Sequence, residues 1–142
     1  MTEAQGRVGR WLRNKWHLDS LIAIGGMAAV YEAEQLSLGT KVALKVLAAD
    51  LTTSNIVIER FFREAETAGR LQHQNIVTIF DAGEEHDLAY IAMEFLKGKD
   101  LVDYCRDGHL LPVSRVLSIV ARVAEALAYA HRQNVVHRDI KP

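Results

Sequence analysis

Between Trp16 and Phe95 the chain alternates five runs of strand length with turns, and only once adopts the period of a helix. Side chains repeat at every second residue along a strand and at about every 3.6 residues around a helix, so neither pattern can stand in for the other. The runs are Trp16–Ile22, Val30–Gln35, Lys41–Leu47, Ile76–Ala82 and Leu88–Phe95. Gly25-Gly26 turns the first into the second, Leu38-Gly39-Thr40 the second into the third, and Gly83–Asp87 joins the last two as a hairpin. The helical stretch runs from Ser54 to Leu71, with Ser54 or Asn55 as N-cap. Beyond Gly98 helices take over, a short one over Leu101–Arg106 and a long one from Pro112, which suits a first turn, to Gln133. Val113, Val116, Leu117, Val120, Val123, Ala124, Leu127 and His131 line one side of the long helix. The pattern predicts an α+β chain: a polar leader over 1–15, a five-stranded antiparallel sheet with one inserted helix over 16–97, and helices over 98–142.

Charge and cysteine usage narrow the setting. The 142 residues carry 17 basic and 18 acidic side chains, which gives no reason to expect nucleic acid or an anionic membrane as partner. The single cysteine, Cys105, cannot form an internal disulfide and reads as a buried small residue, so a reduced, cytoplasmic compartment is the default. The basic residues before Lys15 precede no apolar core of a signal peptide, and Leu117–Ala130 is interrupted by Arg122 and Glu125. No membrane contact is expected from this segment.

Chemistry is concentrated at a few positions. Lys45 lies within an apolar strand, on the same face as Ala43, roughly 7 Å away. A small residue beside a long cation suits a flat ring followed by phosphates; the alternative is a lysine whose stem covers apolar surface while its head reaches water. Around the Ser54–Leu71 helix, Val57, Ile58, Phe61, Ala65 and Ala68 form an apolar stripe, and Glu64 falls within it, between Ala68 and Leu71. A carboxylate there needs a partner, and so does Lys45, so a buried or half-buried ion pair, functional or merely structural, resolves both. Leu21-Ile22-Ala23-Ile24-Gly25-Gly26-Met27 combines small residues between two strands, as a phosphate cradle or an ordinary hairpin turn requires.

The chain ends in His137-Arg138-Asp139-Ile140-Lys141-Pro142, after the long helix and the pair Val135-Val136. With Gly25-Gly26-Met27 and Val30, then Val42-Ala43-Leu44-Lys45, then Arg63-Glu64-Ala65, it resembles the protein kinases, and in particular the bacterial serine/threonine kinases of eukaryotic type. His73-Gln74-Asn75-Ile76-Val77 is similar to the family's His-Pro-Asn-Ile-Val link, and Met93-Glu94-Phe95-Leu96 to its gatekeeper and hinge. The resemblance covers nearly everything from Trp16 onward. It implies a kinase-like N-terminal lobe, the start of an incomplete helical lobe, ATP and Mg2+ as cofactors, and a protein substrate. Ile22, Gly25, Gly26 and Met27 then belong to the loop over the phosphates, while Val30 and Ala43 line the adenine pocket. Lys45 holds the α- and β-phosphates, Glu64 holds Lys45, Met93 shapes the pocket, and the backbone from Glu94 to Leu96 bonds the adenine edge. Asp139 is the implied catalytic base and Lys141 the cation that neutralises the transferred group, while Arg138 would pair with a phosphorylated loop and His137 is structural.

Two departures qualify the resemblance. Ala23 and Ala28 replace the first and third glycines of the loop, and alanine resists positive φ, which predicts a stiffer loop and weaker nucleotide binding. The family's magnesium-binding asparagine would fall two residues beyond Pro142, with the Asp-Phe-Gly metal site and the activation loop further on, so no metal ligand is assigned here. The residues as written are therefore expected not to transfer phosphate alone. The alternative is a non-catalytic, pseudokinase-like module for nucleotide binding or regulation.

Overall fold

The computed structural model describes residues 1–86 and 88–142; Asp87, assigned to a turn by the sequence, lies outside them. The strands are β1 (Trp11–Leu12), β2 (Trp16–Ile24), β3 (Ala28–Gln35), β4 (Lys41–Leu47), β5 (Ile79–Glu85) and β6 (Leu88–Glu94). Helices α1 (Glu3–Gly6), α2 (Asn55–Gly69) and α3 (Val113–Arg132) complete the described elements, with 3-10 turns at Ala49–Leu51 and Val102–Cys105. All six strands pair antiparallel in one sheet, ordered β1-β2-β3-β4-β6-β5. The chain divides into two compact units, Met1–Arg70 with Thr78–Leu96, and Leu71–Val77 with Lys97–Pro142.

In the first unit both faces of the sheet are covered, which is why β4 reads as an almost unbroken apolar run. On one face Leu12, Trp16, Leu18, Tyr31, Leu44, Val46 and Tyr90 form a buried cluster. On the other, α2 lays Phe61 and Ala65 against Leu47, Ala89 and Ile91. Ser54 is the N-cap of α2 and offers no side-chain hydrogen bond. The leader is folded, not merely polar: Thr2 and Gln5 form a reciprocal capping box on α1, and β1 adds a sixth strand to the expected five. The tight Leu12–Lys15 turn hides this strand from a pattern search, because only two residues pair.

In the second unit the link Leu71–Val77 docks on α3. The Gln72 N–H donates to the Tyr129 hydroxyl at 3.0 Å, the His73 ring lies 5.3 Å from that of Tyr129, and the Asn75 amide donates to the Arg122 carbonyl at 3.1 Å. With this stretch committed to α3, β5 starts at Ile79 instead of Ile76, and it runs on to Glu85, where a turn was expected from Gly83. The α3 helix starts one residue after Pro112, which is its N-cap, and ends in a Schellman motif. Asn134, at φ 61, follows the C-cap, with Val135 N–H donating to Ala130 O at 2.9 Å and Asn134 N–H to His131 O at 3.0 Å. Ala126 and Ala130 are the buried residues of α3, whereas Val113, Leu117 and Val120 of the expected stripe are 57–74% exposed. Cys105 is also exposed, because its 3-10 turn presents it outward; its thiol donates to Leu101 O at 3.4 Å. No described helix is long and apolar enough to cross a membrane.

Candidate functional site

Antiparallel register decides which side chains share a face of the sheet. Val30 stands opposite Lys45 across β3–β4, and Ala43 and Lys45 stand opposite Met93 and Ile91 across β4–β6. Val30, Ala43, Lys45 and Met93 therefore project on one face, while Val42, Leu44 and Val46 project into the cluster on the other. Ala43 is buried, and Val30, Lys45 and Met93 are half-buried, which leaves an apolar surface with a single cation at one end. Long-range strand pairing gathers these residues from three parts of the sequence.

The β2–β3 connection is a three-residue loop, Gly25, Gly26 and Met27, pinned by Gly25 N–H to Ala28 O at 2.8 Å. Both glycines, Met27 and Ile22 are exposed, and a Cβ on Gly26 would meet nothing within 4 Å. Ala23 lies in β2 and Ala28 in β3, and neither has a positive φ. Strand backbone suits alanine, so these replacements carry no conformational strain. At the far end of β6, Glu94 N–H donates to Thr78 O at 2.8 Å and its carboxylate accepts from Thr78 N–H at 3.2 Å. Leu96 is exposed, and its backbone makes no hydrogen bond among the described residues.

Glu64 departs from expectation. It is exposed, and no ion pair joins it to Lys45 among the described residues. The side of α2 that packs on the sheet is marked by Phe61 and Ala65, its two buried residues, and Glu64 lies off that stripe. The Lys45 ammonium lies instead 5.9 Å from the Phe61 ring centroid, within reach of its electron-rich face. Phe61, part of the apolar stripe, thus has a second contact beyond the core, and its position one turn before Glu64 on the same helix is the signal for it in the sequence.

In the second unit, His137–Pro142 has no regular secondary structure and is held by local contacts. The Asp139 N–H donates to His137 Nδ1 at 3.1 Å, and the Lys141 ammonium lies 3.1 Å from Asp139 Oδ2. Arg138 between them takes the left-handed backbone, φ 69, rare for a non-glycine residue and frequent at functional loops. Asp139 and Lys141 are 73% and 72% exposed, so the carboxylate and the cation both face solvent. Among the described residues no three His, Cys, Asp or Glu side chains gather into a metal site.

Comparison with known proteins agrees with this arrangement. Residues 16–142 match the family model "Protein kinase domain". The serine/threonine-protein kinase PrkC of Bacillus subtilis is 42% identical over 135 residues, 95% of this chain and 21% of that protein. The serine/threonine-protein kinase pkn3 of Myxococcus xanthus is 42% identical over 136 residues, 95% of this chain and 25% of the relative. The crystal structure of the Mycobacterium tuberculosis PknI kinase domain superposes with a TM-score of 0.77 at 34% identity, covering 95% of this chain and 55% of that one. The chain thus spans a fifth to a quarter of these two curated relatives and about half of that solved kinase domain. With its motifs in order and the family model matching residues 16–142, this chain belongs to the protein kinase family.

Proposed function

We propose that this chain is the nucleotide-binding part, together with the start of the catalytic loop, of a serine/threonine protein kinase that transfers the γ-phosphate of ATP to protein hydroxyls. The observation that carries the reading is the shared face of Val30, Ala43, Lys45 and Met93. An adenine ring lies against Val30 and Ala43, Met93 bounds the pocket, and the Glu94 carbonyl and Leu96 backbone offer hydrogen bonds to its edge. Lys45, with no carboxylate partner among the described residues, is available to the phosphates.

The substrate hydroxyl oxygen attacks the γ-phosphorus, the bond to the β,γ-bridging oxygen breaks, ADP leaves, and the hydroxyl proton passes to Asp139. Lys141 stabilises the charge on the transferred group. Protein kinases generally use ATP with magnesium; among the described residues no cluster of His, Cys, Asp or Glu forms a metal site. Lys141, two residues after Asp139, and the names of the relatives both favour serine and threonine over tyrosine, and a catalytic over a non-catalytic role. The test is phosphate transfer from labelled ATP by the full-length protein, followed by phosphoamino-acid analysis. Phosphoserine or phosphothreonine that disappears in Asp139→Asn supports the reading; no transfer, or phosphotyrosine alone, refutes it.

A further inference from the structure

The nucleotide motifs account for one face of the sheet, but the opposite face is crossed by a segment that none of them explains. Along Thr2–Lys15, the fully buried Tyr31 donates its hydroxyl proton to Ala4 O at 2.8 Å, and Arg7, only 7% exposed, pairs with Glu3 at 2.7 Å. Gly9 N–H donates to Leu18 O and Leu18 N–H to Arg10 O, at 2.7 and 2.9 Å, before β1 pairs with β2. Beside it opens a cleft of about 850 Å3 lined by Arg7, Trp11, Leu18, Thr52, Glu85 and Leu88.

The segment then reaches the far side of the sheet. β1 and β5 are its two edges, and no ladder joins them. Yet Arg13 N–H donates to the Glu85 carboxylate, Arg13 Nη1 to the Tyr90 hydroxyl at 3.3 Å, and Lys15 Nζ to Asp81 Oδ2 at 3.0 Å. Tyr90, wholly buried, donates in turn to Asp81 at 3.4 Å. Two further features agree. Arg13 and Asn14 both take the left-handed backbone, φ 53 and 50, which a turn between strands normally gives to glycine or asparagine and which persists here because contacts on both sides determine it. Gly83 has no positive φ to explain it, but a Cβ there would stand 2.6 Å from Arg13 Nη1 and 2.9 Å from the Tyr90 hydroxyl. Glycine at this position makes the notch into which the guanidinium fits.

We propose that Thr2–Lys15 is a strap that closes the curled sheet edge to edge, with Arg13 seated in the Gly83 notch and Lys15 on Asp81. It holds β5 against β6, and β6 is the strand that pairs with Lys45 and carries Met93. Arg13 is on this account a positioning residue that never approaches a nucleotide. The strap does not depend on the kinase reading.

The test is amide hydrogen exchange on the full-length protein. Arg13→Ala is expected to speed exchange about tenfold at the β5 and β6 amides while leaving α2 unchanged. Lys15→Glu is expected to do the same, and the added Asp81→Lys to restore the original rates. Exchange that changes only within Thr2–Asn14, or a Lys15→Glu, Asp81→Lys pair whose effects simply add, overturns the proposal. Should Arg13→Ala fail to fold, the Lys15 and Asp81 variants decide alone.

Discussion

Lys45 and Asp139 are held in opposite ways. Lys45 stands in a strand paired on both sides, between Leu44 and Val46, which are 0% and 1% exposed, and its neighbours on the face come from β3 and β6. Asp139 stands in an irregular segment, 73% exposed, with one backbone contact to His137 and one ion pair to Lys141. The first position is set by non-local pairing and can be altered only by disturbing a core. The second rests on contacts within a few residues, and in water an exposed ion pair adds little fixity. A preformed binding surface and a locally tethered base are different kinds of functional element, and they should answer differently to mutation.

The sharpest contrast is in activity. Asp139→Asn in the full-length protein is expected to lower phosphoryl transfer by about 10²- to 10⁴-fold, the range of general-base catalysis, and to leave ATP affinity within about twofold. Loss of affinity in step with turnover would mean that the two elements are not separable. Next comes stability. Leu44→Ala, next to Lys45 in β4 and buried on the opposite face, is expected to cost about 2–5 kcal/mol, whereas Val120→Ala on the exposed side of α3 should stay within about 0.5 kcal/mol. Denaturant melts of the two variants check this, and equal losses would remove the distinction between the units. The 142-residue chain by itself exposes Val113, Val116, Leu117, Val120 and Val123 along α3 and is expected to self-associate. Sedimentation as a stable monomer would contradict that.

Much of this was legible in the sequence, for identifiable reasons. The sheet was readable because β-branched and aromatic runs end at Gly25-Gly26 and at Gly39, which does take positive φ, 61. Lys45 and Ala43 were readable because a period of two fixes faces without any knowledge of partners, whereas Met93 was implied only by the family resemblance. β1 escaped because two paired residues make no period, and the Arg13–Asn14 turn uses a residue that turn rules do not favour. The start of β5 was misread because Ile76 and Val77 look like strand, while His73 and Asn75 commit that stretch to α3 through contacts distant in sequence. Glu64 was misjudged for a related reason: which flank of a helix is buried depends on how it packs on the sheet, and here Phe61 and Ala65 take that place through contacts distant in sequence. A small effect tests the correction. Glu64→Gln should change the stability of the chain by no more than about 0.5 kcal/mol, as for an exposed side chain without a partner; a loss of several kcal/mol in a thermal melt would restore the buried ion pair.

The most direct measurement is ATP affinity of the full-length protein with and without Lys45. A charge-assisted hydrogen bond contributes about 1.5–3 kcal/mol, so Lys45→Met should weaken binding by roughly 10- to 100-fold in a calorimetric titration, while adenosine, which has no phosphates, binds both forms alike. Unchanged ATP affinity, or an equal loss for adenosine, would contradict the claim that this face of the sheet is a nucleotide site with Lys45 at its phosphate end.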